Sequence, residues 1–347
     1  MQALRPITIV GGGLSGLTLA IALRRHEVPV TVWEAGIYPR HRVCGEFISG
    51  RGQEVLRRQG LWEPILASGA VEARTAAFFS RGGRWVQRPL PRPAICISRH
   101  SLDARLAEEF REGGGDLRVS QRWNGSFDTP GVVRATGRKP AAQVNGWRWF
   151  GLKVHATGME LAADLEMHVS QRGYVGLCRV ERDVVNVCGL FRSAEPISNL
   201  REQWLDWLRG PGNEMLARRW EGATIDAESF CAVAGLSMER GVATHNSGIS
   251  LGDAWSMIAP VTGNGMSMSF ESAELAVEPI LEYCAGRRPW ERTRAEITGR
   301  YERTFRRRLL WAGWLQRALF NPVGRRALLF LAARVPGAWG VWFEKTR

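Results

Sequence analysis

Ile7-Thr8-Ile9-Val10-Gly11-Gly12-Gly13-Leu14-Ser15-Gly16 is the stretch that decides the fold. Three apolar residues and a threonine read as a short buried strand that runs directly into a G-x-G-x-x-G loop. Leu14, Leu17, Ala20, Ile21 and Leu23 then recur at helical spacing, and Val28 to Trp33 reads as a second strand. Strand, helix and strand of this length make a βαβ unit with parallel strands. Gly11 permits the tight turn, Gly13 lets the backbone approach a pyrophosphate, and Gly16 lets the helix pack on the strand. The free N–H groups of the helix start, at Leu14 and Ser15, offer partial positive charge to phosphates. Glu34, followed by Ala35, ends the second strand, where a carboxylate can accept hydrogen bonds from both hydroxyls of a ribose. A bare glycine triplet fits many loops. With strand, helix, second strand and acid in register, it points to dinucleotide binding.

Further along, residues 50–68 have helical spacing, and Thr75–Ser80 with Arg84–Arg88 suggest a hairpin around Arg81-Gly82-Gly83. A helix is expected from Leu102 to Arg111 with Ser101 as its N-cap. Val132–Arg134 reads as a strand. Residues 147–156, 164–169, 172–179 and 184–191 alternate in polarity, the signature of antiparallel strands in a second sheet. Helical stretches follow at 198–209 and 213–220, then a strand at Ile249-Ser250-Leu251 and a helix from Gly265 to Tyr283. From Tyr301 the chain is helical and basic.

The composition bounds the rest. The chain has 347 residues, 45% hydrophobic and 23% charged, and a formal net charge of +13. A length of this order suggests two domains, and a basic balance favours anionic partners. Six cysteines (Cys44, Cys96, Cys178, Cys188, Cys231, Cys284) contain no CxxC pair, which supports neither a zinc site nor a disulfide framework. No metal site is expected. A strand beginning at residue 7 leaves no room for a secretory signal, and no apolar run is long enough to span a bilayer. The expected location is cytoplasmic.

Gly252-Asp253 at a strand end, followed by Pro260 and Gly263-Asn264-Gly265-Met266, resembles the second FAD motif of the group A FAD-dependent flavoproteins. That superfamily includes para-hydroxybenzoate hydroxylase-like monooxygenases and geranylgeranyl reductase-like proteins. The resemblance implies that Asp253 binds the ribityl chain and that the following helix start faces the flavin N1–C2=O edge. A helix N-terminus suits the negative charge of a reduced flavin. Pro39-Arg40-His41-Arg42-Val43-Cys44-Gly45-Glu46 is similar to the family's Pro-Arg…Cys-Gly stretch, which places Arg42 near the adenosine and Cys44-Gly45 near the ring. Ile97-Ser98-Arg99 with Leu102-Asp103 resembles its Ser-Arg…Leu-Asp element, whose arginine helps bind FAD.

The implied fold is α/β. A Rossmann-type, glutathione reductase-like FAD-binding domain of the para-hydroxybenzoate hydroxylase type (1–73, 95–140 and 240–290) is interwoven with an antiparallel-sheet substrate domain (74–94 and 141–239). A basic helical region (291–347) completes the chain. Where the hydroxylases carry an Asp-Gly motif serving both FAD and NADPH, this chain reads Arg134-Ala135-Thr136-Gly137-Arg138, which leaves NADPH open as electron donor.

Cys44, Glu46 and His155 are the catalytic candidates. Cys44 is either a redox thiol or a small wall residue, and Glu46 either an acid–base group or a solvated or ion-paired loop carboxylate. Lys153 and His155 share a strand face that is either pocket floor or half-exposed sheet. Gly146-Trp147-Arg148-Trp149 resembles the Gly-Trp-x-Trp element of flavin-dependent halogenases without the Ile-Pro that completes it, so Trp147 and Trp149 read as pocket wall or core. With Lys153 and Pro260 they form the expected substrate pocket.

From Tyr301 to Arg347 ten basic residues stand against two acidic ones, interleaved with Trp and Leu. That pattern suits either a peripheral membrane contact or a pair of capping helices; no reader motif for nucleic acid accompanies it. The expected function is an FAD-dependent monooxygenase or oxidase acting on a lipophilic aromatic (polyketide-type) or isoprenoid small molecule. A prenyl double-bond reductase and a non-catalytic FAD-binding protein with a membrane- or partner-binding tail are the alternatives.

Overall fold

Ile7–Val10 (β1), Leu14–Arg24 (α1) and Val30–Trp33 (β2) open the chain, followed by Phe47–Ile48 (β3), Arg51–Arg58 (α2) and Trp62–Ala67 (α3). Next come Val71–Phe79 (β4), Trp85–Cys96 (β5), Arg99–Glu112 (α4), Asp116–Arg118 (β6) and Val132–Arg134 (β7). Arg148–Thr157 (β8), Leu165–Val169 (β9), Gly173–Arg179 (β10) and Val185–Ser193 (β11) precede Leu200–Arg209 (α5), Glu214–Arg219 (α6) and Thr224–Ala234 (β12). Ile249–Ser250 (β13), Gly265–Cys284 (α7), Trp290–Phe320 (α8), Pro322–Arg334 (α9) and Pro336–Lys345 (α10) finish it. This computed structural model describes residues 3–347 apart from 81, 82, 84, 139, 142, 198, 211 and 238–247.

A five-stranded parallel sheet has the order β13-β7-β1-β2-β6. Parallel strands need cover on both faces, and the sequence supplies it. Ile7, Ile9 and Val32 are fully buried. Every residue of α1 from Leu14 to Leu23 is buried, between the sheet and helices α4 and α7. The second sheet has eight strands in the order β12-β8-β11-β10-β9-β4-β5-β3, antiparallel except where β4 pairs with β9. Helix α8 packs on α7, and α9 and α10 pack against β5 of the second sheet.

Several local expectations change. The 50–68 helix breaks in two, because the chain turns at Gln59-Gly60-Leu61, where Gly60 takes a positive φ of 55°. The N-cap of α4 is Ser98, not Ser101: the Ser98 hydroxyl accepts the Ser101 N–H at 3.0 Å. Strand β12 was absent from the sequence reading. Its polar Glu228 and Ser229 fall in a bulge between Asp226 and Cys231, which interrupts the alternation. The middle of the expected 81–83 hairpin turn lies outside the described residues.

Candidate active site

The three motif glycines face three different surroundings. Gly11 has φ +110°, and a Cβ there would sit 2.3 Å from the Ala135 carbonyl oxygen. A Cβ on Gly16 would sit 2.0 Å from the Gly11 oxygen, so strand and helix touch there. A Cβ on Gly13 would meet nothing within 4 Å, and Gly13 lines the main cavity. The loop is thus closed at two glycines and open at the third, as a backbone approached by a ligand requires. Glu34 accepts the Gly12 N–H at 2.9 Å and the Gly36 N–H at 2.7 Å, and pairs with Arg40 at 2.6 Å. Burial raises its pKa, but the Arg40 bond and charge with the two N–H groups outweigh that and draw the carboxyl down to about 2. Ala35 and Glu34 both line the cavity. So do Trp33, Gln121, Trp123 and Phe127, which the sequence reading missed. Trp33 and Trp123 meet edge to face at 5.4 Å, and the buried Trp123 indole N–H has no protein partner.

The second motif arrives beside the first. Gly252, at φ +53°, lies so close to α1 that a Cβ would be 2.9 Å from Ser15 Oγ, and its N–H donates to Ser272 Oγ at 3.0 Å. Asp253 lines the cavity; burial raises its pKa, opposed by Arg138 and Arg99. Arg138 thus comes from the segment that replaces the hydroxylases' Asp-Gly motif. Gly263, Gly265, Met266 and Pro260 also line the cavity, where α7 begins. Gly16, Gly252 and Asn264 do not. Asn264 is turned away and donates to the Thr346 carbonyl at 2.6 Å.

Arg42, Cys44, Gly45 and Glu46 lie along the cavity wall, together with Arg99. Arg99 holds Asp103 with two bonds of 2.7 and 2.8 Å. Burial pushes the Cys44 thiol up despite the nearby Arg99, so Cys44 is held as a thiol. Glu46 is not a solvated loop carboxylate: it is fully buried with φ +56°. Its Oε1 accepts the Arg99 backbone N–H at 2.9 Å and lies 3.3 Å from Lys153 Nζ, and its Oε2 is 2.7 Å from His155 Nε2. Lys153 Nζ bonds His41 Nδ1 at 3.1 Å, and burial, with the Lys153 charge, lowers the His41 pKa to about 4.

Lys153, His155, Trp147 and Trp149 do not line the cavity, which corrects the pocket assignment of three of them and sets His155 behind Glu46. The shared face of Lys153 and His155 was read correctly, but loop 39–46 covers it. Trp149 has the same parity, yet Phe320 of α8 packs against it at 4.6 Å, and Trp147 carries Arg192 at 4.1 Å. His41, His155 and Asp226 offer ligand atoms within 4.8 Å of one another, a cluster the sequence reading did not find. The Lys153 ammonium at His41 opposes a cation there.

Strand register builds the cavity floor. Val233, Gly151, Leu190, Tyr174 and Val169 form one row across five strands, and all five line the cavity. Cys231, Cys188, Gly176, Met167 and Phe78 line it from the next row, in which Lys153 is hidden. Leu328, Leu329, Ala332, Trp339, Trp342 and Phe343 close it from α9 and α10. The cavity has a volume of about 1020 Å3 and runs unbroken from Gly13 to these apolar walls.

These features fit FAD: the open side of Gly13, the ionised Glu34, the unpartnered Trp123 N–H and the α7 start share one cavity. They define an FAD-binding protein with the fold of the group A flavoproteins. Residues 5–146 match the FAD binding domain family. The chain is 24% identical over 149 residues to conditioned medium factor receptor 1 of Dictyostelium discoideum. It is 27% identical over 144 residues to squalene epoxidase 4 of Arabidopsis thaliana. Each match covers 39% of this chain and 28% of the relative, so the chain matches little more than a quarter of either relative's length. Among solved structures, the flavin-dependent brominase Bmp2 superposes with a TM-score of 0.70 at 16% identity, over 98% of both chains. PqsL of Pseudomonas aeruginosa, in complex with 2-aminobenzoylacetate, gives 0.71 at 16%, over 94% of this chain and 99% of its own. The myxobacterial chondrochloren halogenase CndH gives 0.71 at 19%, over 88% and 80%.

Proposed function

We propose that this chain is an FAD-dependent oxidoreductase, an oxygenase or oxidase of a lipophilic aromatic or isoprenoid molecule. One observation carries the reading: a single cavity joins the open glycine of the dinucleotide loop to a floor of Leu, Val, Met and Phe side chains under an apolar lid. Bound FAD would supply the redox chemistry; the protein would position it, exclude water and hold charge. In this proposal Gly11, Gly13, Leu14, Ser15, Gly16, Glu34, Ala35, Arg42, Cys44, Gly45 and Arg99 serve the cofactor. Gly252, Asp253, Gly263, Asn264, Gly265 and Met266 complete that set, some through backbone packing alone. Glu46 handles protons at the wall, with His155 as its positioning residue. The squalene epoxidase match and the halogenase and PqsL superpositions support the oxygen-using side.

The test reduces the purified protein anaerobically, adds lipophilic phenols or prenyl compounds, and admits 18O2. A product carrying one 18O supports the oxygenase, and dehydrogenated product without it the oxidase. A product that has gained two hydrogens overturns both in favour of a reductase, and no product at all favours a binding role. Repeating the turnover with NADPH in place of chemical reductant settles the donor.

A specific observation favours a membrane-facing tail as well. Seven of the eight exposed large hydrophobics, Leu310, Trp314, Val323, Phe330, Leu331, Val335 and Val341, lie on or between α8, α9 and α10. Exposed Arg306, Arg307, Arg317, Arg326 and Arg334 flank them. Among the described residues no helix is long and apolar enough to cross a membrane. We propose that this outer surface lies on an anionic leaflet, the cytoplasmic one, so that lipophilic substrate reaches the cavity through the lid helices. Sedimentation with vesicles containing about a third anionic lipid tests it. The Leu310→Ser, Trp314→Ser, Phe330→Ser triple variant should lose most binding while keeping its flavin, and equal sedimentation refutes the surface.

A further inference from the structure

Arg347 is a half-buried cation that no acidic side chain among the described residues pairs with. Its Nε donates to Ser49 Oγ at 2.8 Å, and its terminal nitrogens donate to the carbonyls of Thr262 at 3.2 Å and Phe343 at 3.4 Å. The guanidinium stacks on the Phe343 ring at 3.6 Å. Every one of these acceptors is neutral, and no Asp or Glu side chain among the described residues pairs with it. Arg308, whose charge acts on Arg347, is already paired: it bonds Glu271 at 2.6 and 2.9 Å. Burial, with Arg308 as a like charge, lowers the Arg347 pKa to about 9, which still leaves it charged at neutral pH. A half-buried cation whose side-chain partners are all neutral gains most from an anion that joins it in the cavity.

The position says which anion. Arg347 lines the cavity at the Thr262 carbonyl, in the turn that leads into α7, whereas Glu34 lines it at Gly12 of the dinucleotide loop. Dinucleotide loop and ribose-binding acid fix the adenosine end, so this end receives the flavin ring. We infer that Arg347, carried back to Ser49 by α9 and α10, supplies the positive charge that stabilises the negatively charged reduced flavin. This rests on FAD occupying the cavity as proposed above.

The experiment measures the midpoint potential of the bound flavin in the full chain and in Arg347→Met and Arg347→Lys, without substrate. The Met variant should be harder to reduce by tenfold or more in the two-electron equilibrium, about 30 mV lower, and Lys should stay close to the parent. An unchanged potential in the Met variant overturns the inference, and so does an equal fall in both, which would mark shape rather than charge. If Met loses its flavin, retention by Lys supports the role of charge, and loss by both overturns it. A colourless parent protein would instead refute flavin occupancy itself.

Discussion

The two ends of the cavity are built by different means. The dinucleotide end is written in consecutive residues: one strand, one loop and one helix place Gly11, Gly13 and Gly16 within six positions, and each glycine's surroundings follow from local geometry. The substrate end is written across the chain. Its floor rows draw single residues from strands β4 and β8 to β12, and its lid comes from α9 and α10. Local backbone geometry can be read from neighbours in sequence, whereas a cross-strand row depends on register, and register on the whole sheet. The comparison teaches that cofactor retention and substrate access should fail separately.

The largest effect should come from Gly13→Asp. A charged side chain would enter the open space that now faces the cavity, and FAD affinity should fall at least about 100-fold, the order expected when a buried charge opposes phosphate. The measurement is the flavin-to-protein absorbance ratio beside an unchanged circular dichroism spectrum. A yellow variant would break the comparison at its first term. Glu46→Gln should come next, because it leaves Lys153 buried without its carboxylate and costs about 3 kcal/mol in denaturant unfolding. Lys153→Met added to it should restore most of that loss; additive damage would contradict a charge origin.

Acid should loosen the seam between the two ends. The folded-state pKa of His41 is depressed to about 4, so the unfolded chain takes up its proton first. Stability therefore falls as pH drops from about 6.5 to about 4, by up to about 2 kcal/mol after allowance for partial exposure. Thermal melts of His41→Gln should show a flatter pH dependence in that window, and a slope equal to the parent's would exclude His41 as the source. The smallest effect sharpens the substrate term. A Cβ at Gly176 has its nearest atoms at 3.7 Å, so Gly176→Phe can fill the floor without breaking the sheet. Binding of an apolar probe should weaken about tenfold, about 1.4 kcal/mol, while flavin content stays constant. A simultaneous loss of flavin would mean that the two ends are one unit.

This division also explains what could be read in advance. The parallel sheet, the glycine loop, Glu34 and the Gly252-Asp253 turn were legible because each is a short motif with a backbone requirement. The alternation of β8 correctly put Lys153 and His155 on one face, but one strand cannot say what lies over it. Loop 39–46 covers that face at Lys153, Phe320 covers it at Trp149, and only Gly151 between them meets the cavity. Whether Glu46 is solvated or ion-paired is not legible locally, because its partners Arg99, Lys153 and His155 are at least 53 positions away. The tail is a sharper case. Its Trp and Leu residues suit either a membrane face or a cap over the second sheet, and α9 and α10 are apolar on two sides, with Leu328, Ala332 and Phe343 inward and Phe330 and Val341 outward. A helix apolar all round has a partner on each side, and a linear pattern cannot assign them.

The most direct test of this account is a crystal structure of the yellow protein. One extended FAD should be seen, its pyrophosphate against Gly13 and Ser15 and its adenosine toward Glu34 and Trp123. The ring should lie between Cys44-Gly45 and the start of α7, leaving the apolar rows open beside it. Flavin density outside this cavity, or a ring lying among the floor residues where substrate is proposed to bind, would contradict it.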